Sequence, residues 1–207
     1  MRSDMSYSFF ATLSRMKYID RWALMRNARE ENLSEHSLEV AMIAHALCTI
    51  GNKRYGKKLN AEKAALIGLY HDASEIITGD MPTPVKYRTT SLRKAYKEVE
   101  AVAEDQLLCM LPEDLRPVYA EIFSYEETDA DEAYLRKLVK AADKFSALIK
   151  CMEEKEAGNL EFRTADLTTR ESIEKMSREL PEVRDFLIDF LPSYGNTPDE
   201  LIGRQES

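Results

Sequence analysis

The clearest indication of the fold is the helical pattern of residues 34–51, which read SEHSLEVAMIAHALCTIG. Its apolar residues recur at the three- and four-residue spacing of an α-helix that buries one face; they are Leu38, Met42, Ile43, Ala46, Leu47 and Ile50. Ser34 is a good N-cap, Leu33 and Leu38 are placed to form a hydrophobic staple, and Gly51 is a typical helix end. The stretch therefore predicts an amphipathic helix from residue 34 to residue 51.

The rest of the chain contains further helical segments and little that suggests strands. Only 7 Gly and 7 Pro occur in 207 residues, which leaves little material for the many turns of an all-β fold. Residues 20–33 are expected to be irregular, and 80–84 to be non-helical, because a proline disfavours the helical conformation of the residue before it. Periodicity predicts the other helices at 6–19, 60–78, 91–110, 112–124 and 129–157, with one or two more over 164–191. We therefore expect an all-α helical bundle, formed by a single domain over residues 1–207, with the last helices packed on it.

Charge and composition argue against several classes of function. The chain carries 29 Lys and Arg against 37 Asp and Glu, a net charge of −8, whereas a protein that binds a nucleic acid polymer needs a basic face. No apolar run reaches the ~20 residues of a membrane span, and the N-terminus has no signal-peptide core. We therefore expect a cytoplasmic protein without a membrane partner. The three cysteines show no CxxC spacing and are expected to be buried thiols; they are Cys48, Cys109 and Cys151.

Polar residues that suit a metal ion cluster around residue 71. His71 and Asp72 are adjacent and Glu75 follows closely, so the three share about 100° of one helix face. An imidazole and two carboxylates are costly to bury without a partner, and a divalent metal ion suits all of them. A His-Asp pair alone is more often part of a solvated helix face. Two residues strengthen the metal interpretation: His36, in the first turn of the helix at 34–51, and Asp143, which interrupts an apolar run, although Asp143 could instead pair with an Arg or Lys.

Three motifs resemble a known family. The order His36, His71-Asp72, Asp143 resembles the H…HD…D pattern of the HD-domain metal-dependent phosphohydrolases. More narrowly, the bacterial HD-domain 5′-deoxynucleotidases are similar to RWALMRNAREENLSEHSLEVAMIAHAL (21–47), YHDASEIITGDMPTPVKY (70–87) and VKAAD (139–143). The resemblance covers most of residues 6–155. It implies an HD-domain helical bundle, a homodimer, and hydrolysis of deoxyribonucleoside 5′-monophosphates. It also implies one divalent transition metal ion (Co, Mn, Zn or similar) with four ligands: His36, His71, Asp72 and Asp143.

The resemblance further implies a substrate site. Arg21 offers a fork of donors for phosphate oxygens, and the Trp22 indole could crowd the sugar 2′ position, unless it is an ordinary core residue. The loop that follows the His71-Asp72 segment is implied to contact the substrate, so that the expected substrate-binding residues, beside Arg21 and Trp22, are Asp80, Met81, Pro82 and Thr83 together with the ligands His36, Asp72 and Asp143. Lys86 is not assigned to the site. Glu75 is expected beside the metal, as the general acid or base.

The remaining histidine does not suit a second metal ion. His45 lies nine positions after His36, which places it on the opposite side of the helix at ~100° per residue. We therefore expect a site with one metal ion, and an interior or interface position for His45.

Two other functions stay open. One is a different HD reaction, such as phosphodiester cleavage or removal of triphosphate from a deoxynucleotide; of these, triphosphate hydrolases usually need more basic residues around the longer anion than this acidic chain shows. A non-catalytic helical binding protein that retains the metal would have no need of Glu75.

Overall fold

The structure, a computed structural model, describes residues 6–86, 88–124 and 129–203, with the side chain of Thr83 outside the described part. Within these ranges all regular elements are helices, and the all-α prediction is confirmed. The elements are α1 (Phe9–Leu13), a 3-10 helix (Ser14–Tyr18), α2 (Leu33–Arg54), α3 (Ala61–Tyr70), α4 (Glu75–Thr78), α5 (Thr83–Lys86), α6 (Thr90–Cys109), α7 (Arg116–Phe123), α8 (Ala130–Glu156), α9 (Arg163–Ser177), α10 (Pro181–Asp189), a second 3-10 helix (Leu191–Gly195) and α11 (Pro198–Ile202). None of the helices in these ranges is long and apolar enough to cross a membrane.

Helix α2 begins one residue before the predicted start. Its N-cap is Asn32, whose side-chain oxygen accepts hydrogen bonds from the backbone N–H groups of Ser34 (3.0 Å) and Glu35 (3.1 Å). The prediction of Ser34 as the N-cap is therefore wrong. The predicted staple is not formed either, because Leu33 is buried whereas Leu38 is exposed.

The end of α2 also differs from the prediction. The helix continues past Gly51 to Arg54. A Cβ atom on Gly51 would lie 2.7 Å from a carboxylate oxygen of Glu182, so this glycine permits close packing of α10 on α2 rather than ending the helix.

The predicted helix at 60–78 is two helices with a turn between them. Asn60 caps α3 as expected, by accepting from the N–H of Lys63 (2.9 Å). The α-helix stops at Tyr70, and residues 71–74 form turns before α4 begins. Periodicity does not reveal this break, because bonds three residues apart, such as Glu75 N–H to Asp72 O (3.0 Å), keep the side chains near helical spacing.

Two shorter segments depart from the prediction as well. The expected helix at 6–19 is α-helical only over α1 and then continues as a 3-10 helix. Helix α5 occupies 83–86, although 80–84 was expected to be non-helical. Pro84 fits there because it lies in the first turn of α5, where backbone N–H groups have no partner within the helix.

The remaining helices lie close to their predicted bounds. Helices α6 and α8 agree to within one residue at each end, and α7 is shorter than expected at its start. The predicted tail at 164–191 contains α9 and α10, whose Ile173, Val183 and Phe186 are buried in the same core as α2 and α8. This shared core supports the single-domain organisation, which we retain as a proposal.

The cysteines agree with expectation at two of three positions. Cys48 and Cys151 are buried, but Cys109 is exposed, because it lies on the outward face of α6 at its last residue.

Two apolar cores meet at the turn formed by residues 71–74. The main core contains residues from α2, α3, α8, α9 and α10, among them Ile67. A smaller cluster consists of Phe9, Ala73, Leu107 and Leu111. Because Ile67 belongs to the first core and Ala73 to the second, His71 and Asp72 are held at the junction, where both are half-buried.

Helix α3 approaches α2 closely enough to set the position of this junction. A Cβ atom on Gly68 would lie 2.8 Å from the Cα and 2.9 Å from the N of Ala41, both of them backbone atoms of α2. Only glycine allows the two helices to come this near. As a consequence the rings of His36 and His71 lie 5.1 Å apart between their centroids.

Candidate metal and substrate site

Four side chains that are distant in sequence meet at this junction. His36 belongs to α2, His71 and Asp72 to the turn after α3, and Asp143 to α8. His36 Nε2 lies 3.5 Å from Asp72 Oδ2 and 3.4 Å from Asp143 Oδ1, and His71 Nε2 lies 3.1 Å from Asp72 Oδ2. One ligand atom from each of His36, His71 and Asp143 lies within 4.8 Å of the others. The structure thus brings together all four residues that the resemblance implies as metal ligands.

The geometry of this cluster fits a shared metal ion. The Nε2 atoms of His36 and His71 are buried, and neither has a hydrogen-bond partner among the described residues. Their distances to the carboxylate oxygens are those of ion pairs, but the contacts do not have the geometry of hydrogen bonds. Two atoms bound ~2.1 Å from one metal ion lie about 3.0–3.4 Å apart in octahedral or tetrahedral coordination. The observed separations are close to this, and a divalent ion would satisfy both nitrogen atoms.

Hydrogen bonds on the far side of each ring leave Nε2 available to a metal ion. The Ser146 hydroxyl donates to Glu39 Oε2 (2.6 Å) and therefore accepts from the Nδ1–H of His36 (2.9 Å). The Nδ1–H of His71 donates to Gly68 O (2.7 Å), which as a carbonyl oxygen can only accept. In both rings the proton is assigned to Nδ1 from these partners. Metal-binding histidines are held in this way.

Ser146 and Glu39 are not among the residues predicted from the sequence. Each lies three positions after an expected ligand, Ser146 after Asp143 and Glu39 after His36, and therefore on a neighbouring part of the same helix face. That spacing is the signal by which they could have been found. Burial raises the pKa of Glu39 to about 7.

The electrostatics of the cluster favour a positive charge at its centre. Burial lowers the pKa of His36, and the Arg21 charge lowers it further, so this ring is neutral, as a ligand must be. Burial also acts to lower the pKa of His71, but the Asp72 and Asp143 carboxylates outweigh it and raise that pKa to about 9. The pKa of Asp72 is lowered despite its burial, chiefly by His71. Two ionised carboxylates beside the imidazoles favour a positive charge at the centre of the cluster. Without a metal ion this charge is a second proton on His71, at Nε2, and a divalent ion would take the place of that proton.

Asp143 has two different neighbours. Its Oδ1 faces His36, and its Oδ2 lies 3.1 Å from Lys144 Nζ. Burial acts to raise the pKa of Asp143, but Lys144 and then His36 hold it well below the usual value. The pairing with a lysine and the role of a metal ligand are therefore compatible, because they use different oxygen atoms.

Glu75 lies beside the cluster as the first residue of α4. Its side chain is buried, and its Oε2 has no hydrogen-bond partner within the described residues. Burial, with the nearby Asp72 and Asp80 charges, raises the pKa of Glu75 to about 9. An unpartnered carboxyl group at this position can exchange a proton with a reacting group.

The Arg21-Trp22 pair is held by Glu31, which is not among the predicted site residues. Glu31 Oε2 accepts hydrogen bonds from both Arg21 Nη1 (2.6 Å) and Trp22 Nε1 (3.2 Å). The Arg21 backbone N–H also donates to Glu31 O (2.8 Å), next to the isolated bridge between Asp20 and Asn32. The sequence offered little signal for this role, because Glu31 stands in the run Arg29-Glu30-Glu31 of charged residues.

Trp22 has an unusual backbone conformation. Its φ of 59° makes it the one non-glycine residue with positive φ in the described ranges. Its N–H donates to Asp80 Oδ2 (3.3 Å), its O accepts from Met25 N–H (2.8 Å), and its ring packs on Phe162 with centroids 5.3 Å apart. A left-handed backbone conformation costs a non-glycine residue roughly 1–2 kcal/mol. It is therefore found where several surrounding contacts hold the residue in place, often at functional sites. Trp22 is half-buried and so is not a fully enclosed core residue.

The Arg21 guanidinium connects this pair with the metal cluster. Burial acts to lower its pKa, but the surrounding carboxylates raise it; these are Glu31, Asp72, Asp143 and Asp80. The Arg21 side chain is only 11% exposed. A phosphate bound at the cluster would therefore meet a positive charge that is little screened by water.

The loop after α4 carries the other expected substrate residues. Asp80 reaches Trp22 as described, and burial raises the pKa of its carboxyl group. Met81 and Pro82 are half-buried beside it. The side chain of Thr83 lies outside the described part of the structure.

Lys86 and His45 are not among the predicted site residues, but the charge of Lys86 acts on Glu75, where it works to lower the raised pKa. Lys86 Nζ lies 2.6 Å from Glu100 Oε1 and 4.5 Å from the centroid of the Tyr96 ring. His45 is exposed on α2, so the prediction of an interior position is wrong, and an interface position stays a prediction.

Known proteins resemble this chain over most of its length. A family model for 5′-deoxynucleotidase YfbR-like proteins matches residues 8–194. A 5′-deoxynucleotidase of Enterobacter sp. (strain 638) is 47% identical and the 5′-deoxynucleotidase YfbR of Salmonella typhi is 46% identical, each over 93% of this chain and 94% of the relative. An HD-domain phosphohydrolase from Listeria innocua has a similar structure, with a TM-score of 0.77 and 28% identity over 90% of this chain and 88% of the other. The HD-domain prediction is confirmed, and the chain belongs to the 5′-deoxynucleotidase YfbR-like family.

Proposed function

We propose that this chain hydrolyses deoxyribonucleoside 5′-monophosphates to deoxyribonucleosides and inorganic phosphate, with the help of one divalent transition metal ion. The observation that carries this proposal is the convergence on two carboxylates of two buried Nε2 atoms that have no hydrogen-bond partner among the described residues, beside the buried Glu75. The names of the family and of the curated relatives agree with it.

Four residues would hold the metal ion: His36, His71, Asp72 and Asp143. When bound, a divalent ion makes a water molecule more acidic and neutralises the negative charge on the phosphoryl oxygens. Neutral imidazole and carboxylate oxygen suit Co, Mn and Zn ions, from which we expect the ion to come.

The other residues bind and orient the ester. Arg21 binds phosphoryl oxygens with the N–H groups that it does not use for Glu31. Glu75 exchanges a proton, either by taking one from water or by giving one to the leaving 5′ oxygen. The Trp22 indole stands at the sugar 2′ position and excludes a hydroxyl group, and the loop residues Asp80, Met81, Pro82 and Thr83 contact the nucleoside.

Release of phosphate from a panel of nucleotides tests the proposal. With Co²⁺, Mn²⁺ or Zn²⁺, we expect turnover of several deoxyribonucleoside 5′-monophosphates, and much weaker action on ribonucleotides and 3′-monophosphates. Asp72→Ala should lose metal and turnover together, whereas Glu75→Gln should keep the metal and lose ~10²-fold or more in rate. If no deoxyribonucleoside 5′-monophosphate releases phosphate with any of these metals, the proposal is wrong. Equal kcat/KM for dAMP and AMP would contradict only the sugar selectivity.

The proposal includes a homodimer in the cytoplasm. The family resemblance supports the dimer, and so do Leu38 and Met42, two residues one turn apart on α2 that are 54% and 59% exposed. The three cysteines are free thiols, as is typical of a reducing compartment. Light scattering during gel filtration measures the mass, and a monomer at micromolar concentration would contradict the dimer.

A further inference from the structure

One oxygen atom of Glu31 holds both residues of the Arg21-Trp22 pair. We propose that Glu31 is a positioning residue: it fixes the Trp22 indole against the substrate sugar and so determines the discrimination between deoxyribonucleotides and ribonucleotides. This inference rests on the proposed function, since it names the residue behind the selectivity of that same site.

Both hydrogen bonds end on the same oxygen atom of Glu31, which links the positions of the Arg21 and Trp22 side chains. Arg21 Nη1 and Trp22 Nε1 both donate to Oε2, at 2.6 and 3.2 Å, and the guanidinium carbon of Arg21 lies 5.8 Å from the centroid of the Trp22 ring. The side chains of Arg21 and Glu31 are 11% and 13% exposed. Charge-assisted hydrogen bonds that are this shielded from water are strong and directional.

The indole needs such a support because its other contacts leave its orientation open. Phe162 packs against the ring at an angle of 57°, which limits the position of the indole face but not its rotation within that plane. Asp80 holds only the backbone N–H of Trp22, whose φ of 59° is an unfavourable conformation. The bond from Nε1 to Glu31 supplies the missing constraint.

Glu31 is itself tied to the metal cluster through a short path. Its backbone O accepts from Arg21 N–H, and the next residue, Asn32, caps the helix whose first turns carry His36. These contacts connect the carboxylate that holds the indole to the start of α2, the helix that carries His36. An indole that is fixed relative to the metal is also fixed relative to the sugar of a nucleotide whose phosphate is bound there.

Two substitutions at Glu31 distinguish the effect of its side-chain length from the effect of its charge. Glu31→Asp keeps the charge beside Arg21 but shortens the side chain by one methylene group, so that it no longer bonds to both partners. Glu31→Gln keeps the length and an acceptor oxygen but removes the charge. The same two changes at the exposed neighbour Glu30 are the matched controls.

Two measurements report the effects of these substitutions. Trp22 is the single tryptophan of the chain, so the intrinsic emission maximum and its quenching by acrylamide report on this indole alone. The ratio of kcat/KM for dAMP to that for AMP reports on the exclusion of the 2′-hydroxyl. We expect Glu31→Asp to shift the emission to longer wavelength, to increase quenching, and to lower the ratio by ~10-fold or more, the scale of discrimination that the shape of a pocket provides between similar substrates. Both Glu30 variants should stay near wild type in emission and ratio. Glu31→Gln keeps the length and an acceptor oxygen but weakens the bonds, so it should change both quantities less than Glu31→Asp does.

The opposite pattern overturns the proposal. If Glu31→Asp behaves as wild type while Glu31→Gln loses selectivity, Glu31 acts only by neutralising Arg21. Unchanged emission and ratio in both variants would show that Glu31 does not position Trp22. Should circular dichroism show that Glu31→Asp is unfolded, Glu31→Asn, which is equally short, takes its place with the same expected outcome. The emission is measured without nucleotide, so it still decides whether Glu31 holds the indole if the wild-type protein proves to hydrolyse no nucleotide and the proposed function fails.

Discussion

Some residues that were not predicted from the sequence orient the metal-binding histidines through hydrogen bonds. Ser146 is the clearest case, since its hydroxyl lies between Glu39 and His36 and determines which ring nitrogen of His36 carries the proton. For His71, the corresponding hydrogen-bond acceptor is the backbone oxygen of Gly68, which no side-chain substitution removes. Ser146 therefore offers the direct test of this arrangement.

Ser146→Ala should lower metal affinity by about 10–100-fold, the usual effect of removing a partner of a metal-binding histidine. Competition between the protein and a chelator of known affinity measures this. Ser177→Ala is the control, because that hydroxyl is exposed and bonds only to Glu174 O. Unchanged affinity in Ser146→Ala would show that the hydrogen bond does not orient His36.

At the scale of elements, the close approach of α3 to α2 decides where His71 stands. Gly68→Ala would place a methyl group against backbone atoms of Ala41, which cannot move aside as a side chain can. We expect a loss of about 1–3 kcal/mol in the free energy of unfolding, the usual scale of overpacking, together with weaker metal binding. Urea unfolding and metal titration measure the two effects.

Gly195→Ala is the matched control for this change. A Cβ atom there would meet only the carboxylate end of Glu156, which is free to swing away. A Gly68→Ala protein as stable as the Gly195→Ala protein would contradict the argument from close packing.

Helix α8 holds the loop that carries Arg21 and Trp22. Glu154 accepts from the backbone N–H groups of Ala28 (2.8 Å) and Arg29 (3.3 Å), and Lys150 contacts both Glu154 and Arg29 O. Burial acts to raise the pKa of Glu154, but the hydrogen bonds from Lys150 and from the backbone lower it from 4.5 to about 2. A carboxyl group with a lowered pKa stabilises the folded state above its unfolded pKa, and this contribution is lost as the pH falls from 4.5 to about 2.

Glu154→Gln should therefore be less stable than wild type at neutral pH, and the difference should shrink as the pH falls from about 5 to about 2. Urea unfolding at a series of pH values measures the difference in the free energy of unfolding. The exposed neighbour Glu153, changed to Gln, is the control and should show a small difference at every pH. A difference that does not depend on pH would contradict the role assigned to the Glu154 charge.

On the scale of the whole molecule, a metal ion would join three parts of the chain: α2, the turn at 71–74, and α8. Because the unfolded chain cannot hold these ligands together, metal should raise the Tm, by an amount equivalent to about 2.7 kcal/mol at a free concentration 100 times the Kd. Thermal unfolding with Co²⁺, Mn²⁺ or Zn²⁺, and again after chelation, measures the shift. Asp72→Ala should show none, and an equal shift in that variant would place the bound metal elsewhere.

Helical periodicity predicted both ends of α6 and α8, whereas the end of α2 was placed three residues too early because Gly51 has the character of a helix end, and the short helices were not resolved. Helices α6 and α8 run for 20 and 27 residues, so their apolar stripes repeat often enough to define both ends. The turn at 71–74 was missed because its bonds keep near-helical spacing over too few residues to break the pattern. The cap of α2 was misplaced by two residues because both Asn32 and Ser34 suit that position, and only the bonds formed distinguish them.

The fold class and the family could be predicted from the amino-acid sequence, and the order of its motifs pointed to the residues that converge at the candidate metal site. These predictions follow from local patterns and from the order of motifs, which can be recognised without knowledge of any long-range contact. The groups that complete the site are seen only in the three-dimensional contacts: Glu31 bonds to the Arg21-Trp22 pair, and Ser146 bonds to His36. The reason is physical, since His36 and Ser146 are 110 residues apart and meet only because α2 packs on α8, a contact that depends on how whole helix faces fit together rather than on any spacing along the chain.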